Sequence, residues 1–135
     1  MTTSENKETL FPIGENASPD YFTGHVTIRN LVTGDDQLNT VVGNVVFEAG
    51  ARNNWHRHPG GQILIATAGM GYYQEKGQPR QLLHKGDVVC ILPGVVHWHG
   101  ATGNSAFTHI AINPNTHKGL VEWLERVTDE EYLGA

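Results

Sequence analysis

The chain has 135 residues, 39% of them hydrophobic, with 16 glycines, 6 prolines and a formal charge of −5. That length suits one domain around one core, and the glycine and proline content favours tight turns over long helices. The negative charge, with no basic run or stripe anywhere, argues against a nucleic-acid surface and leaves a small molecule as the expected partner.

The first nine residues, from Met1 to Thr9, are polar and carry Glu5 and Glu8. They lack the apolar core of a signal peptide, and no later run reaches the roughly 18 apolar residues of a membrane-spanning helix. A cytoplasmic protein is expected, with residues 1–18 as a partly flexible arm and residues 19–135 as the domain. From Tyr21 onward, short runs rich in Val, Ile, Thr and aromatics alternate with turns marked by glycine and proline. This is the pattern of an antiparallel all-β domain. Strands are expected over residues 25–31, 40–47, 54–58, 62–68, 71–75, 80–83, 87–91, 97–100 and 106–113. Cys90 is the only cysteine, so no intrachain disulfide exists, and its apolar run predicts a packed, inert thiol. In the tail, Leu120, Trp123, Leu124 and Val127 recur at helical spacing, which predicts an amphipathic helix packed on the barrel or on a partner subunit. Thr128-Asp129-Glu130-Glu131 then reads as a capping box opening a short last turn.

One spacing stands out: Gly50, His56, His58, Gln62 and Gly69, followed by His97 in Pro93-Gly94-Val95-Val96-His97. Alternate residues of a strand face the same way, so His56 and His58 project together while Arg57 points away. The turn Pro59-Gly60-Gly61 reverses the chain and brings Gln62 beside them. His97 must arrive from a strand paired elsewhere in the sheet. Three imidazoles and one amide oxygen form a compact donor set for a divalent Mn, Fe, Ni, Cu or Zn ion. Four protein donors leave two octahedral positions open, as in a catalytic site.

Strand alternation also places His99 on the face of His97, with Trp98 opposite. His99 is therefore expected inside the barrel as a further ligand, a hydrogen-bonding neighbour of the ligands or a proton carrier. Trp55 and Trp98 flank the donors but should pack away from them. His25, His84 and His117 stand alone in strand, turn and tail, where a surface or packing role is expected.

Gly50 to Gly69 resembles the first cupin motif, and Gly86-Asp87 through His97 resembles the second. The resemblance implies a cupin jelly-roll β-barrel, dimeric or tetrameric, with a metal near its middle. Gln62 stands where cupins commonly have Glu, Ala101 where an asparagine often ends the second motif, and Leu92 where proline is frequent. The glutamine leaves the donor set neutral, so the ion keeps its full formal charge. That favours a Lewis acid that captures an alkoxide, enolate or cyanide.

A closer resemblance is to the bacterial manganese-dependent cupin hydroxynitrile lyases. It is carried by Pro19-Asp20-Tyr21-Phe22-Thr23-Gly24, Trp55-His56-Arg57-His58-Pro59, Gly61-Gln62, His97-Trp98-His99-Gly100-Ala101, Thr108-His109-Ile110-Ala111-Ile112 and the tail from Val127 to Tyr132. It implies that His56, His58, Gln62 and His97 bind manganese and that His109 lies in the pocket as the candidate catalytic base; His99, placed inside by alternation, is the second candidate. Iron, nickel and zinc remain open as the metal. Asn113 occupies a position where these lyases can have a longer amide, and Gly43 and Val45 fall on the strand lining their pocket. The activity implied is cleavage of a cyanohydrin to an aldehyde or ketone plus cyanide. The alternatives are another metal-dependent reaction (dioxygenation, isomerisation or decarboxylation) and a binding module without turnover.

Overall fold

The structure, a computed structural model, describes residues 10–134. The polar start of the expected arm, residues 1–9, lies outside that range. The strands in chain order are β1 (Glu15–Asn16), β2 (Phe22–Thr23), β3 (Val26–Val32), β4 (Val41–Phe47), β5 (Arg52–Asn53), β6 (His56–Arg57), β7 (Gln62–Glu75), β8 (Gln81–His84), β9 (Val88–Ile91), β10 (His97–Ala101), β11 (Phe107–Asn113) and β12 (Glu122–Trp123), followed by the helical turn α1 (Asp129–Tyr132). All pairs are antiparallel. One side of the barrel runs β1-β3-β4-β11-β7-β9, and the other runs β2-β5-β10-β7-β8, with β6 beside β10. This is the antiparallel all-β domain expected from the alternating runs, in the jelly-roll form that the cupin resemblance implies. Among the described residues, no helix is long and apolar enough to cross a membrane.

The long strand β7 belongs to both sides. Its first half pairs with β9 and β11, its second with β8 and β10. The two expected strands over 62–68 and 71–75 are thus one continuous strand running through Gly69. Gly69 has φ +74°, and a Cβ there would sit 1.9 Å from the Ala106 carbonyl oxygen. Only glycine allows the chain entering β11 to approach β7 so closely here.

The interior holds Val26, Val45, Phe47, Leu64, Ala66, Tyr73, Leu83, Ile91, Phe107 and Ala111. A second cluster lies on the opposite surface of the β10 sheet, where Trp55, Trp98, Val127 and Tyr132 pack with Leu124, Tyr72 and Val96. Both tryptophans therefore turn away from the histidines, as alternation requires. Trp98 is fully buried, and its indole N–H donates to Gln74 Oε1 at 2.9 Å. Trp98→Ala is expected to cost about 3–5 kcal/mol, the range for deleting a buried large aromatic. Urea unfolding of the metal-free protein measures it.

Two expectations from the sequence are corrected here. Cys90 is exposed: on β9 it is Ile91 that is buried and Val89 that packs on the core, so the period of two sends Cys90 outward. The tail is not a helix over residues 120–127. It is extended, with Glu122 opposite Arg57 and Trp123 opposite His56. Leu124 N–H donates to the Trp55 carbonyl (2.8 Å), and Trp55 N–H to the Glu125 carbonyl (3.0 Å). The free edge of β6 takes up these backbone groups. The apolar spacing that suggested a helix serves two destinations instead: Trp123 turns toward the histidines, whereas Leu124 and Val127 join the tryptophan cluster. The capping box is present, with Glu131 N–H donating to Thr128 Oγ1 at 3.0 Å and Thr128 N–H to Glu131 Oε1 at 2.9 Å.

Candidate metal centre

Adjacent antiparallel strands set His56 on β6 directly opposite His97 on β10, with ring centroids 4.3 Å apart. His58 follows two residues after His56, its ring 5.0 Å from that of His56 and 5.6 Å from that of His97. The 58–61 turn, closed by Gly61 N–H donating to the His58 carbonyl at 3.0 Å, carries the chain across the barrel. Gln62 then opens β7, which pairs with β9 and β11 and not with β6. All four side chains are buried.

Their hydrogen bonds fix which atoms face inward. His56 Nδ1 lies 2.7 Å from the Asn54 carbonyl, His58 Nδ1 2.7 Å from the Leu120 carbonyl and His97 Nδ1 2.9 Å from the Val95 carbonyl. A carbonyl oxygen only accepts, so each Nδ1 carries the proton and each Nε2 presents a lone pair. His58 Nε2 is buried with no partner among the described residues. Gln62 Nε2 donates to Asn113 Oδ1 at 2.9 Å, which turns Gln62 Oε1 toward His97 Nε2 at 3.3 Å. Two lone pairs thus confront each other with no proton between them, and a third is orphaned nearby. A shared cation resolves all three, so the donor set fits a divalent metal ion.

His99 also turns inward, as alternation on β10 predicts. The ligating atoms of His56, His97 and His99 lie within 4.8 Å of one another. His99 differs from His58 in having a partner, since its Nδ1 is 3.1 Å from His109 Nε2. His109, on β11 opposite Val45 and Ala66, is fully buried against Phe47 and Phe107. Its Nδ1 has no hydrogen-bond partner among the described residues. The structure therefore brings together His56, His58, Gln62, His97, His99 and His109, whereas His25, His84 and His117 are exposed.

Burial keeps the whole cluster neutral. It pushes His97 down to about 4 and His109 to about 3, and holds His58 below the ordinary imidazole value. His56 and His99 are likewise held well below the ordinary imidazole value, first by burial and then by neighbouring imidazoles. Unfolded, the same rings protonate near 6.5. The unfolded chain therefore binds more protons than the folded one between pH 6.5 and about 4, and stability falls as pH drops through that window. Thermal melts of metal-free protein are expected to show a Tm that declines below pH 6.5 and is level above it.

His56, His58, His99 and His109 line a cavity of about 190 Å³. Its other walls include Phe22, Ile28, Val41, Gly43, Val45, Phe47, Ala111, Leu120, Val121 and Trp123, and among the described residues no charged side chain lines it. Gly43 and Val45 thus stand where the resemblance put them. Trp123 was not anticipated. Its ring stacks on Tyr21 (4.7 Å, 10° between planes), meets Phe22 edge-on and lies 4.8 Å from His56. A helical reading of the tail hides it, and only the β6–β12 pairing brings it to the cavity. Asn53 was also missed. Its Oδ1 accepts the His99 backbone N–H at 2.9 Å, and its amide nitrogen, 3.3 Å from both ring nitrogens of His99, lies over the ring face. Strict alternation back from His56 selects Asn54 instead, but the break between β5 and β6 interrupts the period.

The comparisons agree with this geometry. Residues 43–113 match the cupin domain model, a stretch containing every histidine of the cluster. The chain is 45% identical over 124 residues to a protein named (R)-mandelonitrile lyase from Granulicella tundricola, covering 89% of this chain and 95% of that one. A cupin-like protein from Thermotoga maritima superposes with a TM-score of 0.90 at 54% identity, covering 92% of this chain and 94% of the other. A cupin 2 conserved barrel domain protein from Salinispora arenicola aligns at 25% identity and a TM-score of 0.55, over 64% and 73% of the two chains. With the barrel, the inward histidines and these matches in place, the chain belongs to the cupin family.

Proposed function

We propose that this cupin is a metal-dependent carbon–carbon lyase that splits a small neutral cyanohydrin into a carbonyl compound and cyanide. The observation that carries this reading is the coexistence, at one end of an uncharged apolar cavity, of a neutral donor set and a separate neutral histidine pair. The relative named (R)-mandelonitrile lyase supports the same chemistry.

In this reading His56, His58, His97 and Gln62 hold the ion, manganese by preference, with iron, nickel and zinc as the other candidates. When bound, the ion supplies a Lewis acid of undiminished charge for a hydroxyl oxygen or the departing cyanide. Phe22, Val45, Phe47 and Trp123 bind the organic part of the substrate and exclude water. His109 accepts the hydroxyl proton as the carbon–carbon bond breaks. The bonding pair leaves on cyanide, the hydroxyl oxygen becomes the carbonyl, and the proton passes from the imidazole to cyanide, giving hydrogen cyanide. Burial makes the imidazolium short-lived, so His109 transfers the proton and does not store it. His99, 3.1 Å from His109, orients it and is the second candidate for the base.

The test is aldehyde release from racemic mandelonitrile by protein stripped of metal and then reloaded with manganese. Release that requires the metal and consumes one enantiomer is the expected result. Equal release without metal would sink the mechanism. No release from a manganese-loaded sample would turn the reading toward another metal-dependent reaction or toward ligand binding without turnover.

A further inference from the structure

Gln62 is an amide, and an amide can present either its oxygen or its NH2 group to the three imidazoles. Only the oxygen is a donor to a cation. Something must choose between the two orientations, and the hydrogen-bond chain identifies what does so. The Val41 carbonyl can only accept, and its side-chain partner, at 3.4 Å, is Asn113 Nδ2. That contact leaves Asn113 Oδ1 as the atom facing Gln62. An oxygen there requires a donor, so Gln62 must offer Nε2, at 2.9 Å. Its Oε1 then points to His97 Nε2, 3.3 Å away. The order of polarity is relayed from a backbone carbonyl through two amides to the donor cluster, and each link admits one orientation.

The pairing depends on both side chains. Val41 and Asn113 are register partners on β4 and β11, so the anchoring carbonyl is held by the sheet itself. Asn113 is 9% exposed and Gln62 5%, so water competes little for either amide. A carboxylate at position 62, the commoner choice in cupins, would set an oxygen against Asn113 Oδ1 and force Asn113 to give up the Val41 contact. An asparagine at 113 in this orientation is thus matched to a glutamine at 62.

We infer that Asn113 is a positioning residue that selects the metal-binding orientation of the Gln62 amide. This rests on the reading of His56, His58, Gln62 and His97 as metal donors. Asn113 acts through Gln62, and its own polar atoms are both engaged.

The test is a double-mutant cycle read by manganese affinity. Titration of the metal-free protein with manganese(II) chloride, following the electron paramagnetic resonance signal of the free ion, gives Kd without any substrate. Asn113→Leu removes the acceptor while keeping the branched shape at Cγ and is expected to weaken manganese binding about 10–100-fold, the usual cost of losing an outer partner of a metal ligand. In a Gln62→Leu background the same substitution is expected to change Kd less than about twofold, because the group it orients is gone. An unchanged Kd for Asn113→Leu, or an equal loss in both backgrounds, would overturn the inference. Asn113→Ala, which introduces no bulk, is read in the same cycle if the leucine variant does not fold. His56→Ala separates the two levels of the argument. If it binds manganese as tightly as the parent, the metal reading itself fails. If it loses the metal while Asn113→Leu does not, only the positioning role fails.

Discussion

Alanine at His97 is expected to abolish bound metal and cyanohydrin cleavage together. His97 stands at the centre of the donor set, its ring 4.3 Å from His56 and its Nε2 3.3 Å from Gln62 Oε1. Its proton is committed to the Val95 carbonyl, so the lone pair that faces the cluster has no protein donor to satisfy it. Removing the ring deletes a donor outright, and the loss of manganese affinity should exceed the roughly 10–100-fold typical of outer partners. Metal content per chain after dialysis reads this directly. His117→Ala, on an exposed turn, should retain both metal and activity. A His97→Ala protein that keeps stoichiometric manganese would remove His97 from the donor set.

The second large effect belongs to His109. Phe47 and Phe107 pack against it, and its Nε2 lies 3.1 Å from His99 Nδ1. His109→Phe therefore preserves an apolar fit while deleting the proton acceptor. Turnover is expected to fall about 10²–10⁴-fold, the usual contribution of a positioned acid–base group, with manganese affinity near that of the parent. A variant with parental turnover would assign the proton to His99. The pH profile adds a second check. An ordinary imidazole base would lose activity below about pH 6.5. Burial lowers His109 to about 3, so the neutral form persists across the near-neutral range. The rate is expected to stay level from about pH 8 to about pH 5, with any acid limb lying lower.

Much of the barrel was legible because its strands keep a period of two. The expected strands over 40–47, 87–91, 97–100 and 106–113 differ from β4, β9, β10 and β11 by one residue at an end. Alternation also placed His99 inside and both Trp55 and Trp98 outside. Cys90 follows the same period but not the composition of its run: the flanking valines and isoleucine are apolar throughout, yet only every second residue turns inward. Alternation failed at Asn53 because β5 and β6 are separated by irregular backbone, where no period carries over.

The tail failed for a different reason. Leu120, Trp123, Leu124 and Val127 fit a helical stripe, yet Trp123 and Leu124 are adjacent and face opposite sides of an extended strand. The hydrogen-bonding edge that decides the matter belongs to β6, more than sixty residues earlier in the chain.

The sequence by itself determined the donor types, their spacing and the turns that reverse the chain, because these depend on residue chemistry and local backbone preference. It also determined the antiparallel all-β class, because the alternation of burial is written along each strand. Only the tertiary structure decided which nitrogen of each imidazole faces inward, which atom of Gln62 does so, and that Trp123 closes the cavity. Those choices are made by the carbonyls of Asn54, Val95, Leu120 and Val41 and by the open edge of β6. Backbone groups are identical at every position of a sequence and acquire distinct roles only when folding brings them next to a particular side chain.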